Sequence, residues 1–462
     1  MIIQQMSVVS EMQRSRTSMN EYKPSMFNRL VFANDELILY NSFKGTRSLI
    51  RVTSDKKEKI SCILEENTVF DDRDADITKL IQLGFLVPKD TDEKLLRQLR
   101  YLKHITDNRL KLVVHITKAC NFRCTYCYMD FKSEMLAPEV QEGVINYIRR
   151  SLQKYRSVRI SWFGGEPLLD VGIIQKMSKE IIELCKSQNK PYSATITTNG
   201  YNLTPENVKT LMECHVNHIA VTIDGTRDLH NKQRVLKDGS PTFDRIIENL
   251  RYLRDNTRSR TITVSIRSNI TINHISELEK YYQFFDKEFG GDHRFSLFVR
   301  PVADYGGERV QSLKDSFIHD MAPIYKQLAI IQRGLKFSSN FIDLEVGGYT
   351  CQARHLYKYT IGCDGSISKC DESLDHPIGW LTKDGSLLID EKTHANWLFA
   401  KPKAECDECF FSGSCFMELC PKARVEANYT DCPVNFHDID ALILLAAKTY
   451  MIPNLRSEEQ HV

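Results

Sequence analysis

Cys120, Cys124 and Cys127 stand in the segment HITKACNFRCTYCYMD, with three residues and then two between them. Three thiolates on one short loop can hold three irons of a four-iron cubane cluster, which wants four ligands. The fourth iron would stay open. A structural site fills all its positions, whereas a site with an open position is built for chemistry. A zinc knuckle is the plainer alternative. It would need a fourth ligand close by, and His115 lies on a strand that points it elsewhere.

Eight more cysteines fall between positions 351 and 432: Cys351, Cys363, Cys370, Cys406, Cys409, Cys415, Cys420 and Cys432. Eight thiolates suffice for two further fully ligated clusters, and four-cysteine zinc sites use similar spacings. With fourteen cysteines grouped in this way, metal or iron–sulfur ligation is a better reading than a disulfide framework. Cys62, Cys185 and Cys214 stand apart and read as small buried apolar side chains. Asp371 directly follows Cys370. It is either a solvated loop carboxylate or a base that takes a proton from a substrate radical or thiol. Gly164-Gly165-Glu166-Pro167 joins glycines that permit close backbone approach to a carboxylate that can receive an ammonium group. Alone it would be an ordinary turn.

The elements that must position these groups alternate regularly. KLVVHIT, SVRISWF, YSATITT, HIAVTI, TITVSIRSNI and RFSLFVRPV read as strands, with helical stretches such as PEVQEGVINYIRRSLQKY between them. Six strands alternating with helices predict parallel βα units, and a six-stranded partial TIM-like barrel rather than an open doubly wound sheet. The cysteine loop follows the first strand and the Gly-Gly-Glu-Pro turn ends the second. Thr198 and Asn199 end the third, Asp224 ends the fourth, and Arg267 and Asn269 lie in the fifth. Parallel βα folds deliver their site residues at such strand ends.

Ahead of the barrel, RLVFANDELILYNSF reads as a hairpin turning at Asn34-Asp35, and ADITKLIQLGFLV as a helix, a stop at Gly84 and a strand. These predict a small winged-helix-like domain over residues 1–90 and a linking helix over 91–110. The barrel takes 111–335. Residues 336–462 form a cysteine-rich domain held by its metal sites more than by a core, ending in the helix DIDALILLAAKTYM.

A chain of 462 residues implies two to four domains. With 42% apolar residues, 26% charged and a net charge of +2, its balance points to neither a nucleic acid nor an anionic membrane as partner. No run of about 18 apolar residues exists to span a bilayer. The N-terminus lacks the apolar core of a secretory signal, so a cytoplasmic location is expected.

The C-x3-C-x2-C loop with Tyr126 in it, placed after a first strand, resembles the cluster loop of the radical S-adenosylmethionine (SAM) superfamily. The resemblance implies one [4Fe–4S] cluster with SAM at its open iron. Gly164, Gly165, Glu166 and Pro167 would bind the amino group of SAM. Thr198, Asn199, Asp224, Arg267 and Asn269 would face it, Arg267 pairing with its carboxylate. Tyr126 and Tyr128 would pack on adenine or fill the barrel mouth. The cluster would donate one electron, and the resulting 5′-deoxyadenosyl radical would take hydrogen from an unactivated carbon.

The later cysteines, with Cys351, thirteen residues, Gly365, four residues and Cys370, then Cys406, Cys409 and Cys415, resemble a SPASM domain. That implies two auxiliary [4Fe–4S] clusters, three in all: Cys351, Cys363, Cys370 and Cys420 on one, and Cys406, Cys409, Cys415 and Cys432 on the other. The chain departs from the family in having four residues, FMEL, rather than three before Cys420. By similarity to sulfatase-maturating enzymes, Asp371 would act as a base.

Enzymes of this kind often modify peptides. The N-terminal unit is similar to elements that bind the leader of a ribosomally made precursor peptide by pairing it against a sheet edge. The expected activity is precursor-peptide maturation, most simply a thioether between a cysteine sulfur and a carbon of another residue, with a flavodoxin or ferredoxin as electron donor. Oxidation of a sulfatase Cys or Ser to formylglycine is the alternative enzyme. A non-catalytic iron–sulfur redox scaffold is the alternative of another class.

Overall fold

A computed structural model describes residues 21–33, 36–65, 74–257, 262–337, 344–430, 432–436 and 438–447. The Asn34-Asp35 turn and the end of the expected closing helix lie outside the described residues.

The chain opens with β1 (Tyr22–Pro24), β2 (Asn28–Ala33), β3 (Glu36–Asn41) and β4 (Gly45–Val52). The last three form an antiparallel sheet in the order β2-β3-β4, with Ala33 opposite Glu36 as a hairpin requires. Alternation along β3 divides its side chains between two cores. Leu37 and Leu39 join Ile60, Ile63, Leu80 and Phe85 in a small core, while Ile38 and Tyr40 face the main one. The helix Ala75–Leu83 begins at Asp74, whose carboxylate accepts the Asp76 and Ile77 N–H groups, and ends at Gly84 with φ 81. β5 (Leu86–Pro88) then returns antiparallel to β1. The linking helix runs Glu93–Ile105 and leaves Leu95, Leu99 and Leu102 exposed along one side.

β6 (Arg109–His115), β7 (Ser157–Phe163), β8 (Tyr192–Thr198), β9 (Val216–Thr222), β10 (Thr263–Ile270) and β11 (Phe295–Pro301) are parallel neighbours in chain order. Leu112 and Val114, Ile160 and Trp162, Ile219 and Val221, and Val264 and Ile266 pack with helix residues such as Val144, Ile148 and Met177 in the main core. The period of two sends their neighbours to the opposite, concave face. That face is polar and laterally bonded. Thr195 Oγ1 meets Ser161 Oγ at 2.9 Å, and Arg267 Nε donates to Asn269 Oδ1 at 2.9 Å.

The cysteine-rich segment is joined to the barrel by backbone pairing. Its first strand, β12 (Lys358–Ile361), pairs parallel with β6, with Lys111 opposite Lys358. β13 (Ser366–Ser368), β14 (Gly379–Leu381) and β15 (Leu387–Ile389) follow antiparallel, and the sheet reaches ten strands. Strands of three or four residues are too short for alternation to register in a sequence. Residues 439–447 are helical and bury Ile439, Leu442 and Ile443. Arg29 of β2 grips Asp440 of that helix at 2.8 and 2.6 Å. Among the described residues no helix is long and apolar enough to cross a membrane.

Candidate cluster and cofactor site

The cysteine loop is held on both flanks by backbone. On one side Gly165 N–H donates to Thr117 O and Glu166 N–H to Ala119 O, at 2.8 and 2.9 Å. A Cβ on Gly164 or Gly165 would run into those same carbonyls, and Gly164 sits at φ 130. Glycine is therefore required for the approach. On the other side Arg123 N–H donates to Val235 O, Thr125 N–H to Gln233 O, and Lys237 N–H to Asn121 O, at 2.8, 3.0 and 2.9 Å. Burial pushes the Cys120 and Cys124 thiols up to about 12. Iron binding must therefore displace the protons of these thiols.

The sequence expectation placed Glu166 where an ammonium group could reach it. Its side chain is fully buried instead. It accepts Leu168 N–H at 2.9 Å, Thr198 Oγ1–H at 2.7 Å and Asn199 N–H at 2.7 Å. Glu166 thus ties the end of β7 to the end of β8 and keeps Asn199 over the loop, where Asn199 Nδ2 donates to Asn121 Oδ1 at 2.8 Å. Pro167 starts the short 3-10 turn Pro167–Leu169.

Across the mouth a second network joins the loop to β9 and β10. Asp224 is fully buried, accepting Asn269 N–H at 2.8 Å and the Tyr126 hydroxyl at 2.5 Å. Tyr126 in turn accepts from Arg234 at 2.6 Å and from Asn269 Nδ2 at 3.0 Å. Arg234 lies 4.0 Å from Asp224 and its guanidinium 5.5 Å from the Phe122 ring. Sequence reasoning missed Arg234, which looks there like one more charge in the polar run HNKQRVLKDG. Arg267 remains on the concave face with Asn269 as its partner. His115 ends β6 fully buried with both ring nitrogens unpartnered, and burial lowers its pKa to about 4. A neutral imidazole with unmet nitrogens on the concave face fits a lumen that takes a polar ligand.

The later cysteines form two places and one outlier. Cys406, Cys409, Cys415 and Cys432 line one common cavity, with Lys403, Met417 and Thr430 at its sides. Cys351 is coupled electrostatically to Cys420, and Cys351 and Cys370 both feel Lys358 and Asp371. Cys363 is set apart. Its thiol meets the His115 carbonyl at 3.4 Å, and the charges bearing on it are Lys118, Glu134 and Asp364. The extra residue before Cys420 is taken up by Phe416 and Met417, both left-handed at φ 47 and 65. That turn drops Glu418 into the interior, where it pairs with Arg424 and Arg354 at 2.5 and 3.7 Å. Asp371 accepts from Lys358 Nζ and Thr360 Oγ1, both at 2.6 Å. Burial raises its pKa and Lys358 more than offsets this, so it is held below the usual carboxylate range. A carboxylate so engaged is a weak proton acceptor.

Among the described residues no three His, Cys, Asp or Glu side chains are close enough to share one ion. A cubane needs no such convergence, since each of its irons takes its own thiolate. The donor set of thiols, the glycine cradle and the unmet His115 nitrogens fit a cluster and a polar cofactor at this mouth.

The sequence profile of the radical SAM superfamily matches residues 114–283. GTP 3',8-cyclase of Helicobacter pylori (strain J99) is 32% identical over 297 residues, which are 60% of this chain and 85% of that protein. A cysteine-type anaerobic sulfatase-maturating enzyme of Clostridium novyi is 24% identical, over 62% of this chain and 80% of that one. Fe-coproporphyrin III synthase of Methanosarcina barkeri is 26% identical, and the chain spans only 43% of its length. Among solved structures, anSMEcpe with bound AdoMet and the Cp18Cys peptide aligns with TM-score 0.55 at 18% identity, covering 76% of this chain and 99% of that one. Streptococcus suis SuiB bound to S-adenosylmethionine aligns with TM-score 0.50 at 16% identity, covering 91% and 99%. At these identities the structural likeness is one of fold.

Proposed function

From a chain that belongs to the radical SAM superfamily, and is a radical SAM enzyme, we propose the maturation of a ribosomally made precursor peptide, with a thioether joining a cysteine sulfur to a carbon of another residue. The observation that carries this reading is the meeting of two cysteine sets across one mouth. Tyr128, next to Cys127, donates its hydroxyl to Asp371 O at 3.4 Å, beside Cys370. A substrate there would lie between a radical-forming cluster and an auxiliary one.

When bound, the cluster of the Cys120 loop and SAM supply a radical able to take hydrogen from an unactivated carbon. The protein orients and encloses. Cys120, Cys124 and Cys127 hold the cluster, and the backbone of Gly164 to Pro167, with Thr198, Asn199, Asp224, Arg267 and Asn269, shapes the SAM pocket, Arg267 offering a cation to a carboxylate. Cys406, Cys409, Cys415 and Cys432 hold one auxiliary cluster and Cys351, Cys370 and Cys420 the other. The position of Cys363 favours leaving one auxiliary iron free, where a substrate thiolate could bind. Asp371 orients Lys358 and Thr360, and serves as a base only if Lys358 releases it. Residues 1–90 would bind the leader at an edge of the β2-β3-β4 sheet, a flavodoxin or ferredoxin would donate electrons, and the cytoplasm is the expected compartment.

Anaerobically reconstituted protein given SAM and dithionite should release 5′-deoxyadenosine, and Cys124→Ala should not. Equal product from both would end the radical reading. Iron should reach about twelve per chain, three four-iron clusters, whereas a plateau at about four would remove the auxiliary pair. Deleting residues 1–90 should weaken leader binding; unchanged leader affinity would refute the recognition role. Formylglycine formation is the second reading, favoured by the sulfatase-maturase relative. A product aldehyde reactive to hydrazide, in place of a crosslink that has lost two hydrogens, would establish it.

A further inference from the structure

The connection after β11, residues 302–318, runs through the 3-10 segment Arg309–Ser316 and plays no part in the site as described, yet it returns to the cysteine loop. Arg309 of this connection places its guanidinium 4.9 Å from the centre of the Phe131 ring. Arg123, inside the cysteine loop, places its own 4.4 Å from the same ring. Arg123 also donates to Cys120 O and Phe122 O at 2.9 and 2.7 Å, so it is fixed to the turn that presents the thiols. Phe131 has φ 56, a conformation an aromatic residue adopts only when its surroundings hold it. Gly306 and Gly307 lie at φ 105 and 87. Gly307 packs so close that a Cβ there would stand 3.3 Å from Tyr128 Cα and 3.4 Å from Cys127 O. The last barrel strand is thereby strapped to the loop of the first.

The charges matter as much as the strap. Three guanidinium groups border the cysteine loop: Arg123 within it, Arg309 across the shared Phe131 contact, and Arg234 bonded to Tyr126 beside Cys127. Reduction adds negative charge to a cluster already carrying three thiolates, and net charge around a cluster is one of the protein's levers on its potential. Arg234 is committed to Tyr126 and Asp224. Arg309 comes from outside the loop and is held there by an aromatic ring.

We propose that Arg309, stacked on Phe131 together with Arg123, is a positioning residue that straps the cysteine loop and raises the reduction potential of the cluster bound there. The proposal rests on the radical SAM reading of that loop. It predicts that Arg309→Gln keeps its iron yet becomes harder to reduce, while Arg309→Lys, which keeps the charge, stays near the parent. Phe131→Leu, which keeps both arginines and removes the ring that holds them, should shift the same way as Arg309→Gln.

The test is a redox titration of the full-length reconstituted protein by electron paramagnetic resonance. Added SAM marks this cluster, because only its signal should respond. In Arg309→Gln the reduced-to-oxidised ratio at a fixed potential should fall about threefold, close to 28 mV at about 59 mV per decade for one electron. An unshifted potential at full iron content overturns the proposal. If Arg309→Gln yields too little folded protein, Phe131→Leu decides, and an unshifted potential there overturns it equally. A parent protein with no SAM-responsive signal would overturn the reading of the loop, and the proposal with it.

Discussion

Arg234→Met should cost about 3–5 kcal/mol of stability and abolish SAM cleavage. Arg234 is the cation beside the fully buried Asp224 and also the donor to Tyr126. Removing one partner of a buried pair leaves the other uncompensated in a medium that solvates it poorly, and losses of about that size follow. The damage reaches the chemistry because residues 233–237 are the backbone rail along which the cysteine loop lies. Urea denaturation and a 5′-deoxyadenosine assay on the same preparation would check both halves. Pairing Arg234→Met with Asp224→Leu removes both charges and should recover much of the stability without the activity. A single mutant within about 1 kcal/mol of the parent would mean that water, not Arg234, answers Asp224.

Glu418→Ala should produce a comparable loss, about 3–5 kcal/mol, in the cysteine-rich segment. Glu418 is fully buried, with Arg424 at 2.5 Å and Arg354 at 3.7 Å, and both arginines are themselves buried. Arg354 also donates to Phe416 O at 3.2 Å and stacks on Tyr101 at 4.4 Å. The network therefore holds the left-handed Phe416-Met417 turn, a conformation costing roughly 1–3 kcal/mol per residue when unsupported. Without it Cys415 and Cys420, on either side of the turn, should lose their spacing. The expected result is lower iron content with SAM cleavage retained in the residual folded protein. Normal iron loading in Glu418→Ala would show that the clusters set the turn and not the reverse.

The six barrel strands were legible because each carries five or more residues of strong alternation or β-branched character, and the cysteine loop because its spacing is rarely accidental. What stayed hidden was decided by tertiary register. Arg234 has no local signature, since its burial depends on a segment pairing with the cysteine loop. Glu166 was read for its charge, and its three internal donors appear only when β7 and β8 stand side by side. Cys363 is flanked in sequence by two cysteines of one set, yet β12 ends at Ile361 and the following turn carries the thiol to the His115 carbonyl. The FMEL insertion looked like a defect in a pattern; folded, it is what delivers Glu418.

The parallel pairing of β12 with β6 also sets a timetable. Lys111 and Lys358 are partners across the ladder, 247 positions apart. At about 5–20 residues per second on the ribosome, β6 waits on the order of 10–50 s for its second neighbour. For that interval its edge is open and the thiols just beyond it stand at an unfinished mouth. On the proposed reading of Cys120, Cys124 and Cys127 as cluster ligands, iron would reach them in the window before β12 emerges and pairs with β6. A nascent chain stalled short of residue 358 would be the form best placed to receive its first cluster.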